Sequence, residues 1–327
     1  MKTRKLGNSA ENVAVVGLGC MGMSDFYGPA EDDKSLGVIH HALERGVTLL
    51  DTADMYGTGK NEELVGKALR GHRDRAFLAT KFAIQRNADG SRAINGKPEY
   101  VQQACEASLK RLGVEHIDLY YQHRVDRSVP IEDTIGAMKR LVEQGKVRYL
   151  GMSEASVETI RRAYEVHPIA ALQNEYSLWS RDPEQGHLKL CEELGITFVA
   201  YSPLGRGFLT GAIKSRADLS QGDYRLQSPR FSEQNFGKNL ELVAKIEQIA
   251  EGRGVTAAQL ALAWVLSRSE RIVTIPGTRS NARVDENAAA AELTLTAKEL
   301  QQIEAAFPAG QVAGARYDAA GLAISNG

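Results

Sequence analysis

The sequence has no excess of charge of either sign. Across 327 residues, 40 lysines and arginines stand against 41 aspartates and glutamates, and the formal net charge is -1. A chain of this kind creates no overall field that would attract nucleic acid or an anionic membrane surface. Neither partner is therefore expected, and any site for an anion has to be built locally from a few residues.

Cysteine is scarce as well. The three cysteines, Cys20, Cys105 and Cys191, are odd in number, far apart and not arranged in CxxC or Cys/His spacings. This pattern argues against a disulfide framework and against a zinc site. No metal is expected, and any cofactor chemistry should be organic.

Long hydrophobic runs are also missing. The longest stretch without a polar residue, Val13 to Met23, is well short of the roughly 20 residues that a membrane-spanning helix needs. The basic start, Met1 to Lys5, leads into polar residues and not into the apolar core of a signal peptide. These absences predict a cytoplasmic protein without membrane contact. Its 43% of hydrophobic residues is nevertheless typical of a globular chain with a full core.

What the sequence does contain is a series of eight short β-branched runs, each bounded by turn residues. Between them, apolar residues recur at helical spacing, as at Leu36, Ile39 and Leu43. This alternation predicts a parallel sheet covered by helices, and eight strands can close into a TIM barrel. The predicted strands are Val13–Gly19, Val47–Asp54, Arg75–Phe82, Ile117–His123, Val147–Ser153, Ala170–Ser177, Thr197–Pro203 and Ile272–Thr278.

The predicted architecture is therefore α/β, a single (β/α)8 TIM-barrel domain over residues 1–327. No linker and no shift in composition divides the chain. One insertion interrupts the alternation, because the segment between Pro203 and Ile272 has room for a Gly- and Arg-rich loop and two extra helices. These helices are predicted near Leu240–Ala250 and Ala257–Arg268.

Two motifs resemble known signatures but lie in the wrong context. Gly17–Gly22 matches the GxGxxG of Rossmann folds, yet helical periodicity begins only near Asp32, so these glycines do not open a helix that could hold a pyrophosphate. Tyr56–Lys60 matches the YxxxK pair of short-chain dehydrogenases. Gly57 and Gly59 disfavour the helix that would bring that lysine under the tyrosine. Both motifs are weaker alternatives.

Four titratable side chains lie at the ends of predicted strands two to four: Asp51, Tyr56, Lys81 and His123. In a TIM barrel these ends form the mouth where chemistry occurs. A tyrosine has an ordinary pKa of about 10 and needs neighbours that stabilise its phenolate before it can act as an acid at neutral pH. Lys81 would supply that positive charge, Asp51 would keep the lysine charged, and His123 would donate a hydrogen bond to a substrate oxygen.

Spacing alone equally allows a structural interpretation of these four residues. Asp51 and Lys81 would then form a salt bridge that fills the barrel end, Tyr56 would be a turn aromatic, and His123 would be a core imidazole with its hydrogen bonds satisfied. The pattern of residues does not decide between the two interpretations.

Around these residues the sequence resembles the aldo-keto reductase family. Residues 51–62, DTADMYGTGKNE, look like that family's strand-two signature, and similar motifs follow in order at 112–123, 145–153, 173–177, 201–205 and 275–279. The resemblance spans 6–307, and SPLGRG and IPGTR are similar to a branch that includes perakine reductase and auxin-induced reductase-like proteins. It implies a TIM barrel that reduces aldehydes and ketones with NADPH, with a cofactor-covering loop and extra helices before and after strand eight.

Position by position, the resemblance assigns the catalytic role to Asp51, Tyr56, Lys81 and His123, with Tyr56 as general acid. It also implies a set of contacts with the cofactor, NADPH or NADP+. Besides Asp51, the matching positions are Cys20, Met21, Ser153, Gln173, Tyr201, Ser202, Pro203, Leu204, Gly205, Arg206, Gly207, Gly277, Thr278, Arg279, Arg283, Glu286 and Asn287.

The matched positions divide by the part of the cofactor that each would hold. Ser153 and Gln173 match residues that bind the nicotinamide carboxamide, and Tyr201 matches the aromatic that stacks on the ring and fixes its reactive face. Positions 202–207 match the pyrophosphate loop. Positions 278, 279 and 283 match contacts with the 2′-phosphate at a helix N-terminus, and 286–287 match contacts with adenine.

Two positions depart from the family pattern. Many relatives have asparagine after the serine where this chain has Glu154, which weakens the carboxamide assignment. Many have lysine where this chain has Gly277, which removes one cation near the expected 2′-phosphate. The preference for NADPH over NADH is therefore expected to be less strong.

The substrate pocket is expected to be formed by loops near Met21, Tyr27 and Trp179 and by the tail around Arg316–Tyr317. Relatives that act on small aldehydes often have tryptophan at the position of Met21, so a flexible methionine indicates a broader pocket. The expected partner is a small carbonyl compound whose identity the sequence does not reveal. The oligomeric state is not predicted either.

Two rival functions are consistent with a TIM barrel. A lyase could use Lys81 as a Schiff-base nucleophile, but this requires a neutral amine, and Asp51 beside it favours the ammonium. A redox-sensing subunit, like the channel-associated members of this fold, could bind the cofactor with slow turnover. Those members carry an N-terminal extension, whereas the barrel here is predicted to begin within about ten residues.

Overall fold

The sheet at the centre of the molecule has eight parallel strands in a computed structural model that describes residues 1–87 and 91–325. Each strand of this sheet is paired with the next strand of the same sheet along the chain. The order is 18–19, 49–51, 77–82, 117–122, 147–153, 169–175, 197–201 and 272–274. All strands, in chain order, are β1 (Thr3–Lys5), β2 (Asn12–Ala14), β3 (Leu18–Gly19), β4 (Leu49–Asp51), β5 (Phe77–Phe82), β6 (Ile84–Arg86), β7 (Arg92–Ile94), β8 (Ile117–Gln122), β9 (Val147–Ser153), β10 (Ile169–Glu175), β11 (Thr197–Tyr201) and β12 (Ile272–Thr274).

The two edges of this sheet meet and close the barrel. Val16 bridges to Thr274 and Gly19 to Gly277, both in parallel orientation. The backbone N–H of Gly17 donates to the carbonyl of Thr274 at 2.7 Å. Gly19 permits the close approach, because a Cβ on it would lie 2.8 Å from the carbonyl oxygen of Ile275. The predicted (β/α)8 barrel is confirmed.

Helices connect the strands and cover the outside of the barrel. The helix Pro98–Leu112 shows typical end signals, because proline occupies its first turn and Gly113, with φ of 66°, caps its end. The helices are α1 (Asp32–Glu44), α2 (Lys60–Leu69), α3 (Pro98–Leu112), α4 (Ile131–Glu143), α5 (Val157–Val166), α6 (His187–Leu194), α7 (Glu233–Arg253), α8 (Ala257–Ser267), α9 (Asn281–Ala289), α10 (Ala297–Ala306) and α11 (Ala319–Ala323).

The extra segments predicted around strand eight are present. The helices α7 and α8 lie between β11 and β12, and a run of short 3-10 turns over residues 205–231 precedes them. After β12 come α9, α10 and a tail that ends in α11. The helix predicted near Leu240–Ala250 is much longer than expected: it covers Glu233–Arg253, and Gly254, with φ of 72°, ends it.

The first predicted strand is wrong in its extent. Val13 belongs to β2, which pairs antiparallel with β1, and only Leu18 and Gly19 pair with β4. The run 13–19 is apolar because its two halves are buried in different places. Val13 packs with Leu6 in the apolar cluster inside the barrel. Leu18 and Gly19 form the barrel strand that pairs with β4. The antiparallel pair β6 and β7, just beyond β5, was not predicted.

None of the helices in the described part of the chain combines the length and the apolar composition of a membrane-spanning segment. All three cysteines are buried and free. Among residues 1–87 and 91–325, no group of three or more histidine, cysteine or acidic side chains could hold a metal ion.

Candidate active site

The four side chains singled out at the strand ends come together at one mouth of the barrel. Asp51 is the last residue of β4, Lys81 lies in β5, and His123 directly follows β8. These three strands are neighbours in the sheet, so parallel pairing brings their carboxyl ends side by side. Tyr56 reaches the same point from the turn after β4. All four are buried, and Lys81 has no exposed surface.

Lys81 connects the other members of this group. Its Nζ donates to Asp51 Oδ1 at 2.5 Å, to the Thr52 carbonyl at 2.9 Å and to the Tyr56 hydroxyl at 3.3 Å. The structural and catalytic interpretations share the Asp51–Lys81 ion pair. The bond to the phenol oxygen is specific to the catalytic one, because a turn aromatic needs no ammonium beneath its hydroxyl.

The competing YxxxK arrangement is absent. Gly57 and Gly59 adopt φ of 55° and 89° in a 3-10 turn, and Lys60 begins α2 as an exposed residue. The Rossmann alternative is wrong as well. The glycines at 17–22 are followed by a short 3-10 turn at Met21–Met23, and the first α-helix begins only at Asp32.

The protonation states of Tyr56 and Lys81 follow from burial and from their mutual contact. Burial raises the pKa of Tyr56, and the positive charge of Lys81 opposes this only in part, so the net shift is upward. Burial acts to lower the pKa of Lys81, but Asp51 and Tyr56 outweigh it, and the pKa is raised. At neutral pH the pair is therefore a protonated phenol beside an ammonium.

His123 is a neutral imidazole without a partner for one nitrogen. Burial, with the charges of Arg124, Lys81 and Arg92, holds its pKa well below the ordinary value. Its Nδ1 is buried and has no hydrogen-bond partner among the described residues. The ring lies edge-on to Tyr56, with centroids 5.8 Å apart. His123 is therefore not a core imidazole whose hydrogen bonds are satisfied. The residue lines the cleft, and its other ring nitrogen, Nε2, is available to a group bound there.

A cleft of about 1030 Å³ opens above these residues, at the upper end of the range for small-molecule sites. Lys81 lies beneath it, in contact with its floor. Most positions that the resemblance implies line it: Met21, Asp51, Tyr56, His123, Ser153, Gln173, Tyr201, Ser202, Pro203, Leu204, Arg206, Gly207, Gly277, Thr278, Arg279, Arg283, Glu286 and Asn287.

Three predicted positions do not line the cleft. The Cys20 side chain is fully buried, and its Sγ faces the carbonyl of Leu18 at 3.7 Å. Gly205 turns away against Trp179, because a Cβ on it would lie 2.6 Å from the indole ring. Trp179 itself, predicted as part of the pocket wall, is buried and stacks on Phe208 with ring centroids 5.1 Å apart.

The residues expected around a nicotinamide are linked to the catalytic group. Gln173 Nε2 donates to Asp51 Oδ2 at 2.7 Å, so one amide connects the expected carboxamide site with the ion pair under Tyr56. Ser153 Oγ accepts a 3.3 Å bond from Arg124 Nη1. The Tyr201 hydroxyl donates to Glu154 Oε1 at 3.0 Å. The sequence predicted these positions but not the bonds among them.

Glu154, the departure from the family pattern, holds the C-terminal tail. Its carboxylate forms a two-armed ion pair with Arg316, at 2.8 and 2.7 Å, and accepts the backbone N–H of Glu175 at 3.1 Å. Next to it, the hydroxyls of Tyr201 and Tyr317 are 2.8 Å apart. Despite burial, the bonds and charge of Arg316 hold the pKa of Glu154 at about 2.

Glu154→Gln should lower the free energy of unfolding at pH 7 by about 3 kcal/mol, because the folded state holds the pKa near 2 against an ordinary 4.5. A lowered pKa stabilises the fold above about pH 4.5, and this contribution is lost as the pH falls towards 2. Urea titrations at pH 7 and pH 3 followed by circular dichroism measure both effects. Glu132→Gln, which removes an exposed ion pair with Arg162, should change little. Equal stability of Glu154→Gln and the parent at pH 7 would contradict the prediction.

The far end of the cleft carries the donors expected for a phosphate. Helix α9 begins at Asn281, and no side chain caps its first turn, so its N–H groups are free to bind an anion. Arg283 has no hydrogen bond or ion pair with any described residue. Arg279, in contrast, donates to the carbonyls of Pro29 at 2.7 Å and Tyr27 at 3.3 Å, so it also holds the loop at residues 27–29.

The predicted pyrophosphate loop has an uncommon backbone. Ser202, Gly205, Arg206 and Gly207 all have positive φ, which turns successive peptide groups in a tight segment beside the cleft. The Arg206 side chain points inward: it pairs with Glu175 at 2.9 Å and lies over a tyrosine ring of the tail. The tight turn beside the cleft and the free N–H groups at the start of α9 together fit a dinucleotide.

Sequence reasoning missed several residues that line the cleft. Phe26, Arg92, Arg124 and Tyr224 line it from four different segments. Arg124 carried a usable signal, because it directly follows a strand-end histidine. The others come from loops and a hairpin whose path the local sequence pattern does not determine.

The sequence and the fold of this chain are both similar to those of known proteins. The model of the Aldo/keto reductase family matches residues 15–307. "Aldo-keto reductase yakc [NADP(+)]" of Schizosaccharomyces pombe is 46% identical, over 96% of this chain and 94% of that protein. The glycerol dehydrogenase AKR11B4 from Gluconobacter oxydans superposes with a TM-score of 0.86 at 30% identity, covering 93% and 94% of the two chains. An aldo-keto reductase from Klebsiella pneumoniae in complex with NADPH gives 0.74 at 30% identity, covering 97% and 98%.

Proposed function

The chain belongs to the aldo/keto reductase family, and from that premise we propose that it reduces aldehydes or ketones to alcohols with Tyr56 as the general acid. Its cofactor is NADPH/NADP+. The observation that carries the proposal is the hydrogen bond from Lys81 Nζ to the Tyr56 hydroxyl beside the cleft. It connects a protonated phenol to a charged lysine at the place where a substrate oxygen can enter.

The side chains then have distinct roles in the reaction. NADPH, when bound, supplies the hydride that reduces the carbonyl carbon. Tyr56 donates its phenolic proton to the carbonyl oxygen, and Lys81 stabilises the phenolate that this leaves. Asp51 compensates the buried charge of Lys81. His123, kept neutral, donates from Nε2 to the same oxygen and orients the carbonyl.

For the cofactor we propose the contacts that the resemblance implies, apart from the side chains that turn away from the cleft. Ser153, Gln173 and Tyr201 would hold and orient the nicotinamide end. The 202–207 turn would receive the pyrophosphate, and the start of α9 with Arg283 would receive the 2′-phosphate. The support is the donor set described above: free backbone N–H groups and an arginine without a partner among the described residues.

The lyase alternative is disfavoured by the state of Lys81. A Schiff-base lysine has to lose its proton and reach a substrate carbonyl. Here Nζ is fully buried, donates three hydrogen bonds and has a raised pKa. No comparable observation favours a cofactor-sensing subunit over an enzyme.

Turnover on a panel of aldehydes and ketones, measured as NADPH oxidation, tests the proposed function directly. Fluorescence titration with NADPH and NADH should accompany it, so that binding and chemistry are separated. We expect micromolar-range binding and turnover with aldehydes. Tight NADPH binding with no turnover on any carbonyl would favour the sensing subunit.

Arg283→Ala should weaken NADPH binding by about tenfold or more and leave NADH almost unchanged, because a hydrogen bond to a charged group contributes about 1.5 to 3 kcal/mol and only NADPH carries the 2′-phosphate. Arg279→Ala should weaken both cofactors, since Arg279 also holds the loop at 27–29. Fluorescence titrations at two salt concentrations measure these losses. A loss for Arg283→Ala that is the same with NADH would mean that Arg283 does not bind the phosphate.

A further inference from the structure

Arg124 is a buried guanidinium that lies directly beside the catalytic group. It follows His123 at the end of β8 and lines the cleft with only 8% of its surface exposed. Nη1 donates to the His123 carbonyl at 2.6 Å and to Ser153 Oγ at 3.3 Å. Nε is buried without a partner, and no hydrogen bond joins Nη2 to any described residue. The side chain is thus held in place while part of its donor fork stays free.

This arginine also has no counter-ion, unlike the buried arginines around it. Arg206 pairs with Glu175, Arg225 with Asp223, and Arg316 with Glu154. No carboxylate of a described residue lies within ion-pair distance of Arg124. Glu154 is the carboxylate whose charge reaches it, but Arg316 already binds both oxygens of that group. A buried charge without a counter-ion at ion-pair distance is costly, so a negatively charged group brought next to Arg124 would be bound favourably.

Arg124 lies near the position that the proposed reaction gives to the substrate. Arg124 neighbours His123, which faces the carbonyl in the proposed reaction, and its charge lowers the pKa of that imidazole. A second cation, Arg92 on β7, also acts on His123 and lies over the ring of Phe26 at 5.6 Å. It makes no ion pair with a described residue. The donors suited to the cofactor phosphate are on a different element, at the start of α9.

We propose that Arg124, assisted by Arg92, binds a carboxylate carried by the carbonyl substrate, so that the preferred substrates are aldehydes or ketones that are also carboxylic acids. The inference rests on the proposed reductase function and specifies its substrate class. Nη2 of Arg124, which has no partner among the described residues, can bind a carboxylate through charge-assisted hydrogen bonds. The aromatic and aliphatic side chains nearby, Phe26, Met55 and Ile84, would contact the carbon skeleton between the two groups.

Paired substrates that differ only in charge test this proposal. The probes are 3- and 4-carboxybenzaldehyde and the methyl ester of each, with kcat/KM measured as NADPH oxidation. The parent enzyme should prefer at least one acid to its ester by about tenfold. Arg124→Met should lower the acid-to-ester ratio of kcat/KM by about tenfold or more, the effect of one lost charged hydrogen bond. A loss that acts through His123 or Ser153 would affect acid and ester alike and leave this ratio unchanged. Arg140→Met, an exposed arginine on α4, is the matched control and should change neither.

The outcomes separate this inference from the proposed function. Turnover of the esters without any preference for the acids would overturn the carboxylate site and leave the reductase function standing. No turnover of either form would count against the reductase function itself. An equal loss for acid and ester in Arg124→Met, or a large loss of NADPH affinity, would mean that Arg124 supports His123 or the cofactor instead. If Arg124→Met does not fold, Arg92→Met at an exposed position still tests the proposal. This variant should lower kcat/KM for the acid by up to about fivefold and leave kcat/KM for the ester unchanged.

Discussion

Replacing Tyr56 by phenylalanine should lower kcat for carbonyl reduction by roughly 10²- to 10⁴-fold, the range typical of a lost general acid. The variant keeps the ring, which packs edge-on to His123, and loses only the hydroxyl that accepts the bond from Lys81. NADPH affinity should stay nearly the same, because the hydroxyl acts on the substrate oxygen. Stopped-flow or steady-state NADPH oxidation and a fluorescence titration give the two readouts.

A matched control is available for this substitution. Tyr149 on β9 stacks on Phe77 with ring centroids 6.4 Å apart and packs against the apolar cluster inside the barrel. Tyr149→Phe therefore removes a hydroxyl outside the cleft and should leave kcat unchanged. If Tyr56→Phe kept most of the activity with normal cofactor binding, Tyr56 would have no part in proton transfer. His123, which also lines the cleft, would then be the next candidate for the proton donor.

Lys81→Met should lower activity at neutral pH by a factor comparable to that of Tyr56→Phe and should also change the pH dependence. Without the ammonium, the Tyr56 phenolate loses the hydrogen bond and the larger of the charges that stabilise it, and only the smaller effect of Arg124 remains among those charges. The apparent pKa that governs reduction should therefore move upward. Asp51 would lose its buried partner, and removing one member of a buried ion pair typically lowers the free energy of unfolding by about 3–5 kcal/mol. A kcat–pH profile and a urea titration on the same preparation measure the two consequences.

Lys60→Met is the control for the lysine. Lys60 is exposed at the start of α2, four residues after Tyr56, and its removal should leave both the pH profile and the stability unchanged. The coupling between Lys81 and Tyr56 would be disproved by a Lys81→Met profile with the midpoint of the parent. The ion pair with Asp51 would then serve the fold alone.

Much of the fold could be predicted from the sequence because strands and helices are encoded by patterns of neighbouring residues. Alternating apolar periods identify strand and helix from a few neighbouring residues, and eight such units predict a closed barrel. The predicted strand ends at Asp51 and Lys81 were correct to within a few residues, so the catalytic group could be assembled before any distance was known. Two expectations stay predictions: that residues 1–327 form a single domain, and that the named residues contact particular parts of NADPH.

The errors fall where a segment's position depends on distant partners. The run from Val13 to Gly19 looks like one strand, but its first half pairs with β1 and its second half with β4. Trp179 looks like a pocket aromatic, yet it packs against Phe208 and Gly205. In each case the local sequence pattern is compatible with two different environments. Packing against a segment that is distant in the sequence determines which environment the residues occupy.

By itself, the sequence determined the barrel, the four residues at its mouth and the family, because each of these rests on spacing within a strand, a turn or a short motif. Only the tertiary structure decided which charges are paired. Glu154 and Arg316 are 162 positions apart, and Gln173 and Asp51 are 122 apart, so nothing local indicates that they touch. The same holds for Arg124, whose significance lies in the absence of a described carboxylate around it. Electrostatic energy depends on distance through space and on burial, and neither quantity is fixed until the chain has folded.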